Sequence, residues 1–272
     1  MPVRAAPRRR TPILTARTAR HPMRHDPQFL TRLARNADDL RAAQRLRYAV
    51  FVDELGGDGP LVDHAARLER DRFDTHADQL LLLDTTRPGG DQVIGVYRVM
   101  DRAAAEACGG FYSAEEFDLS PLLESGRVLL ELGRSCLHRD YRAGAALWHL
   151  WQGLARLVAD RGAEVLFGAA SFRGTDLSTL AQPLSVLARD HLAPPEVRVR
   201  ARVYQPMTLI QDIDRRAAMQ AMPALIKAYL RLGGVVGDGA YLDRAFNTTD
   251  VCMILDLARM TDRQRALYGG GA

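Results

Sequence analysis

Four short segments place charge where the surrounding pattern is apolar. Glu131-Leu132-Gly133-Arg134 lies inside Val128-Leu129-Leu130 and Ser135-Cys136-Leu137. A charge inside a buried strand is costly unless it is paired, so Glu131 and Arg134 are the hardest to treat as ordinary surface. Arg98 stands likewise inside Val93–Val99. Arg47 and Phe51 are one helical turn apart and share a face. Asp71 and Asp74 fall in Glu69-Arg70-Asp71-Arg72-Phe73-Asp74, just before a strand. A buried carboxylate, its pKa raised, is suited to general-base work, and an arginine pairs a carboxylate through two parallel hydrogen bonds. Structural readings stand beside these: a Glu131–Arg134 ion pair that fixes register, a helix-surface Arg47, and a solvated loop cluster of Asp71 and Asp74 with Arg70 and Arg72. In a regular strand, positions 131 and 134 face opposite sides. Gly133 between them predicts a bulge that turns both side chains toward one cleft and frees backbone N–H groups for a ligand.

A fifth segment, Arg139-Asp140-Tyr141-Arg142-Ala143-Gly144, opens a helix. A strand–loop–helix start with small residues offers free N–H groups to a phosphate or to phosphopantetheine amides. The chain has no G-x-x-x-x-G-K-S/T, G-x-S-x-G, H-E-x-x-H or G-x-G-x-x-G sequence, which argues against P-loop, serine-hydrolase, zinc-protease and dinucleotide chemistry. Its seven histidines show no metal-ligand spacing,.

The elements that must position these residues read as follows. Leu40, Ala43, Leu46 and Val50–Phe51 have helical spacing behind a capping Asp38, and Gly56-Gly57 ends that helix. Residues 57–78 read as a long ordered loop. Gln79–Asp84 and Gln92–Met100 form a hairpin across Arg87-Pro88-Gly89-Gly90-Asp91. Arg127–His138 is a buried strand. Ala143 through Val158 form one helical stripe that stops at Gly162. Glu164–Ala170 is a strand, Asp176–His191 a helix with a kink expected at Pro183, and Val197–Tyr204 an alternating, half-buried strand. Pro223–Leu232 is a short helix and Val251–Leu257 a last apolar strand. This order predicts a mixed α/β sandwich rather than a doubly wound sheet.

The chain has 272 residues, 47% of them hydrophobic, enough for a sizeable core,. No apolar run approaches the ~20 residues of a membrane helix. Three scattered cysteines exclude a disulfide framework or a cysteine-rich zinc module and fit a reducing compartment,. The formal charge of +4 divides unevenly: residues 1–25 hold seven arginines and no acid, leaving 30 basic against 33 acidic residues in the body. The body therefore lacks the basic excess of a nucleic-acid binder. The segment before residue 26 reads as a disordered extension, with Met23 as an alternative start, ahead of a polybasic anchor for an anionic membrane or an organellar transit peptide.

Taken in order, Arg47, Phe51, Asp71, Asp74, Arg98, Glu131 and Arg134 resemble the signature of the acyl-carrier-protein-dependent GNAT-type N-acyltransferases. The resemblance is to the bacterial L-ornithine Nα-acyltransferases (ornithine lipid synthases, some labelled haemolysin-like), relatives of the acyl-homoserine-lactone synthases. It continues through Arg142…Leu147-Trp148, Gly168…Ser171-Phe172, Pro223…Tyr229-Leu230…Gly233 and Asp243…Phe246-Asn247-Thr248-Thr249-Asp250, covering roughly residues 35–257. Two departures matter. The fourth position of the usual pyrophosphate loop is Arg142 rather than glycine, which favours an acyl carrier protein over coenzyme A as donor. Leu55-Gly56-Gly57 stands where the homoserine-lactone branch carries a tryptophan, which disfavours S-adenosylmethionine.

The resemblance implies a single-domain, GNAT-like, mostly antiparallel sheet flanked by helices over residues 29–272, behind a disordered basic tail at 1–28. It implies transfer of a 3-hydroxyacyl group from acyl carrier protein to the α-amine of L-ornithine, giving a lyso-ornithine lipid, with no bound cofactor or metal and no nucleic acid. In that reading Glu131 is the base, and Arg134 holds Glu131 or the substrate carboxylate. Arg47, Phe51, Asp71, Asp74 and Arg98 bind substrate, and Asp71 or Asp74 meets ornithine's δ-ammonium. Cys136, Leu137, Arg142, Ala143 and Gly144 bind the acyl-phosphopantetheine, with N–H groups near Gly133 and after Cys136 stabilising the oxyanion. Cys136 itself reads as a buried strand cysteine rather than a nucleophile. The expected location is cytoplasmic, with peripheral contact on the inner membrane. Two other readings remain: an acyl-homoserine-lactone synthase or an acyltransferase for another amino acid, and a non-catalytic acyl-carrier-protein-binding module.

Overall fold

The computed structural model describes residues 26–60 and 62–269; the expectations for residues 1–25 lie outside them. In chain order the elements are β1 (Phe29–Leu33), α1 (Ala37–Arg47), β2 (Asp78–Asp84), β3 (Val93–Met100), α2 (Arg102–Ala107), β4 (Phe117–Asp118), α3 (Ser120–Leu123), β5 (Leu129–Leu137), α4 (Ala146–Asp160), β6 (Val165–Arg173), α5 (Ala181–Asp190), β7 (Arg200–Ala201), α6 (Arg215–Ala221), α7 (Ala224–Arg231), β8 (Val235–Val236), β9 (Tyr241–Asp243), β10 (Thr248–Asp256) and α8 (Asp262–Gly269). Among the described residues, eight strands make one sheet in the order β1-β2-β3-β5-β6-β10-β8, with β9 also on β10. Its neighbours are antiparallel except β5 and β6. This is the expected mixed, mostly antiparallel architecture.

The sheet is covered on both faces. Leu130, Leu132, Leu166, Ala170, Val251, Met253 and Leu255 point into a core closed by Leu150, Leu154 and Val158 of α4, Leu184 and Leu187 of α5, and Ile226 of α7. On the opposite face Leu129, Val165, Phe167, Cys252 and Ile254 pack with Phe73, Phe111 and Phe117. On that same side α1 and the helical turn after it cover Leu81, Leu83, Val96 and Cys136 with Ala43, Leu46 and Val50. Strands buried on both faces read as continuous apolar runs, which is why the hairpin and β5 were legible.

Four local expectations change. Asn36, not Asp38, caps α1: its side chain accepts from the N–H groups of Asp38 (3.1 Å) and Asp39 (2.9 Å). The helix continues to Glu54 as a π-helix, and the wider i→i+5 turn changes the phase of its side chains. Pro183 falls in the first turn of α5, where its missing N–H costs nothing, so no kink is required,. The alternation expected over Val197–Tyr204 holds as burial only through Ala201, with Val203 exposed, and without an extended strand, because only Arg200–Ala201 pairs as β7. Val199 and Ala201 instead exchange backbone bonds with Asp238, and Arg202 N–H donates to Glu116. The edge strand β1, which the sequence reading passed over, adds Arg32 paired to Asp39 at 2.6 Å.

Candidate active site

The sheet opens where its one parallel pair ends. β5 and β6 are in register from Leu129–Val165 to Glu131–Phe167 and no further. Beyond that point they part around a cavity of about 390 Å³, lined by residues 131–135 of β5 and 166–171 of β6. Gly168 lets the backbones come close at the mouth of this gap: a Cβ there would lie 2.1 Å from the Leu132 carbonyl oxygen. Across β5, Gly133 is opposite Arg98 but Cys136 is opposite Val96, so β5 carries one extra residue. The kink lies at Arg134, which has φ 50, one position after the glycine expected to carry it. That extra residue resets the alternation of the strand. Glu131 and Arg134 consequently line the same cavity, where a regular strand would separate them.

Arg134 does not hold Glu131. Its Nε donates to Glu69 (3.2 Å) and its Nη2 to Asp71 (2.9 Å). It belongs to a buried set of three arginines against three carboxylates. Arg47, fully buried, donates to Glu69 and to Asp74 (2.6 Å). Arg98 donates to both oxygens of Asp71 (2.6 Å each) and lies 3.4 Å from Asp74. Burial opposes the charge on Arg47, but Glu69 and Asp74 outweigh it and push its pKa up. Burial likewise opposes ionisation of Asp71, and Arg98 and Arg134 outweigh it and hold that carboxyl down to about 2.

Of the residues expected to touch substrate, Phe51 and Arg98 line the cavity, while Arg47, Asp71 and Asp74 are outside its lining. The π-turn separates Arg47 from Phe51: one is sealed inside the ionic set, the other faces the cavity. Both aspartates are engaged by arginines, so neither is free for a substrate ammonium. Glu69, within a segment the sequence reading singled out but not itself chosen, joins Arg47 to Arg134 and is 1% exposed.

Glu131 is buried, and each carboxylate oxygen accepts one backbone N–H, from Tyr112 (2.9 Å) and Ser113 (2.6 Å). Burial pushes its pKa above the ordinary carboxylate value, against the pull of those contacts and of Arg98. One lone pair on each oxygen remains for a proton. Tyr112, another residue the sequence reading missed, has its ring under the Arg134 guanidinium at 4.6 Å. Phe246 takes a second face of that guanidinium at 5.2 Å.

Farther along the same face, Glu116, Asp243 and Asp250 bring carboxylate oxygens within 4.8 Å of one another. Asp243 and Asp250 line the cavity. Burial, with Asp250 and Asp243 alongside, pushes Glu116 well above the usual range; burial pushes Asp250 up to about 6. Asp250 carries the same signal as Glu131, an acid at the head of the apolar run Val251–Leu255. Glu116 lies in a short turn with no period to betray it.

The other end of the cavity is apolar, walled by Leu132, Leu166, Ala170, Leu225, Met253 and Leu255. Within that wall the hydroxyls of Tyr97 and Tyr229 are 3.3 Å apart.

None of the residues expected at the phosphopantetheine lines the cavity. Ala143 and Gly144 are exposed in the turn before α4, and Arg142 donates to Leu137 O (3.0 Å) and to Glu54 (2.8 Å). Leu137 packs against the larger core. The Cys136 side chain is buried under α1, and burial pushes its thiol up to about 12, which suits an inert packing residue,. Among the described residues no helix is long and apolar enough to cross a membrane.

The sheet thus splays at its one parallel pair, with the buried Glu131 carboxylate beside the opening. The acetyltransferase (GNAT) domain family matches residues 46–152. A CoA-dependent acyl-homoserine lactone synthase shares the fold at a TM-score of 0.50 and 16% identity, over 88% of each chain. The L-ornithine N(alpha)-acyltransferase of Rhodobacter capsulatus is 55% identical over 241 residues, 87% of this chain and 93% of that protein. That of Brucella abortus is 41% identical over 249 residues, 89% of each. The chain belongs to the L-ornithine Nα-acyltransferase family, and it is an enzyme of the acyltransferase class.

Proposed function

We propose that the chain transfers a 3-hydroxyacyl group from acyl carrier protein to the α-amine of L-ornithine, giving a lyso-ornithine lipid. The observation that carries this reading is one cavity with two unlike ends: Glu131 and Arg134 at the polar end, and an acyl-sized apolar wall at the other. The names of the relatives supply ornithine as acceptor. Glu131 takes the proton from the α-ammonium, directly or through water, a step worth roughly 10²–10⁴ in rate. The freed amine attacks the thioester carbon; the C–N bond forms and the carbonyl oxygen becomes an oxyanion. Backbone N–H groups of the bulged strand stabilise it. The tetrahedral intermediate then collapses as its nitrogen gives up a second proton; the C–S bond breaks, the departing thiolate takes up that proton, and Glu131 passes its own to solvent. Arg134, oriented by Glu69 and Asp71, holds the α-carboxylate of the acceptor,.

Two features support the finer choices. Arg142 stands where the usual pyrophosphate loop has glycine, and its guanidinium is tied to Glu54 and to the Leu137 carbonyl; this supports a carrier protein over coenzyme A. The Tyr97–Tyr229 hydroxyl pair in an otherwise apolar wall fits a 3-hydroxyl on the acyl chain. The reaction needs no bound cofactor, and a soluble amino-acid substrate and a carrier protein fit a cytoplasmic enzyme. The test is purified enzyme with 3-hydroxyacyl-carrier protein or 3-hydroxyacyl-CoA, each offered ornithine, lysine or S-adenosylmethionine, with products weighed by mass spectrometry. Acyl-ornithine formed mainly from the carrier protein is expected. A homoserine lactone product, or preference for another amine, would replace this reading.

A further inference from the structure

We infer that Glu116, Asp243 and Asp250 form the pocket for the side-chain ammonium of the acceptor, and so decide that a diamino acid is the substrate. The inference rests on ornithine being the acceptor. Clustered acids alone would say little. Here Oε2 of Glu116 and Oδ1 of Asp250 are buried and have no hydrogen-bond partner, in residues only 4% and 3% exposed. Leaving a buried polar atom unsatisfied is costly, and one unpartnered oxygen on each of two buried acids, Asp250 in the cavity lining and Glu116 beside it, suits a cation. The acids first expected to meet the ammonium, Asp71 and Asp74, are occupied by Arg47, Arg98 and Arg134. An ammonium offers three donors, and the pocket has three carboxylates within 4.8 Å of one another.

The spacing also fits. Tyr112 bridges the two acid sites: its N–H donates to Glu131 at 2.9 Å and its hydroxyl interacts with Glu116. Glu131 and the cluster are therefore separated by about one tyrosine and a contact at each end, on the order of 10–13 Å. In ornithine the α- and δ-nitrogens are five bonds apart, roughly 6 Å when extended, so hydrogen bonds at both ends span on the order of 12 Å. With its δ-nitrogen in the pocket, the molecule presents its α-nitrogen to Glu131. The Arg134 guanidinium, held over the Tyr112 ring at 4.6 Å, faces the same space.

The test compares ornithine with norvaline, the same chain without the terminal amine, in wild type and in Glu116→Gln, Asp243→Asn and Asp250→Asn. Wild type should prefer ornithine strongly, because a site built to hydrogen-bond a group rejects an analogue that lacks it. Each variant should reduce the ornithine-to-norvaline ratio of kcat/KM, by about 100-fold for Asp250→Asn, chiefly through KM for ornithine. Asp243 is only half-buried, so Asp243→Asn keeps the test open if the buried variants misfold. An unchanged ratio in folded variants overturns the inference and leaves ornithine acylation standing. A wild type that acylates neither acceptor overturns both. Tight calorimetric binding of Mg²⁺ or Ca²⁺ that Asp250→Asn abolishes would make the cluster a metal site instead.

Discussion

Glu131 joins three properties that a base in this reaction needs: it is buried, it lines the cavity, and its carboxylate is oriented by two backbone N–H groups. Replacing it by glutamine keeps the shape and removes the basicity. Glu131→Gln should lower kcat by about 10²–10⁴ while leaving the affinity for acyl donor nearly unchanged, read by steady-state kinetics beside a direct binding titration. The pH profile supplies a second check. Only the ionised carboxylate accepts the proton, and burial raises its pKa, so kcat should fall on acidification with a midpoint above that of a free glutamate. A wild-type rate flat down to pH 5 would remove Glu131 from the mechanism. Arg47 presents the opposite case, a charge that touches no part of the cavity yet is fully buried between Glu69 and Asp74. Removing one partner of a buried ion pair strands the others, so Arg47→Ala should cost about 3–5 kcal/mol in denaturant unfolding. A loss of activity with unchanged stability would return Arg47 to substrate binding. Both residues were legible from one rule, that charge against an apolar pattern must have a reason. The same rule applied to Asp250 would have found it; Tyr112 and Glu116 carried no such contrast, being in a turn whose neighbours have no period.

The apolar runs of β2, β3, β5 and β10 declared themselves because each is buried on both faces, and α4 because its stripe is long and ends at Gly162 (φ 60). What the chain pattern could not reveal is where strands part. The β5–β6 separation depends on pairing partners 36 residues apart, and the π-helix after Arg47 on packing rather than propensity. Even the bulge, inferred from the Glu131–Arg134 spacing, came one residue late because Arg134 itself takes the left-handed conformation, which costs a non-glycine residue of order 1–3 kcal/mol. Gly168 sets how closely β6 approaches β5 before the gap. Any Cβ there meets the backbone oxygen of Leu132 rather than a flexible side chain, so one of the strands must move. Gly168→Ala should therefore lower stability by about 1–3 kcal/mol and depress kcat/KM as the opening shifts. An unfolding midpoint and kcat/KM both equal to wild type would show that the close approach is not needed.

Charge is divided between the two ends of the chain in a way that bears on where the product is released. Residues 26–272 sum to −3, while the preceding segment holds seven arginines and no acid. An anionic leaflet would repel the first weakly and attract the second, with each arginine near the surface worth about 1 kcal/mol. The product proposed here has an acyl chain and a zwitterionic head, so release at a bilayer avoids carrying it through water. We therefore expect the full chain to bind vesicles containing phosphatidylglycerol and to leave them as salt rises, since the Debye length falls from about 10 Å at 0.1 M to about 3 Å at 1 M. A chain beginning at Met23 loses six of the seven arginines. It should bind such vesicles far more weakly while acylating ornithine from soluble donor at the full-length rate, because all the cavity-lining residues lie after position 50. Sedimentation with vesicles at low and high salt, beside an assay in free solution, separates the two effects. Equal vesicle binding by both chains would eliminate the anchoring role. A shorter chain that lost its rate in solution would mean that the first residues complete the catalytic unit rather than address it to a surface.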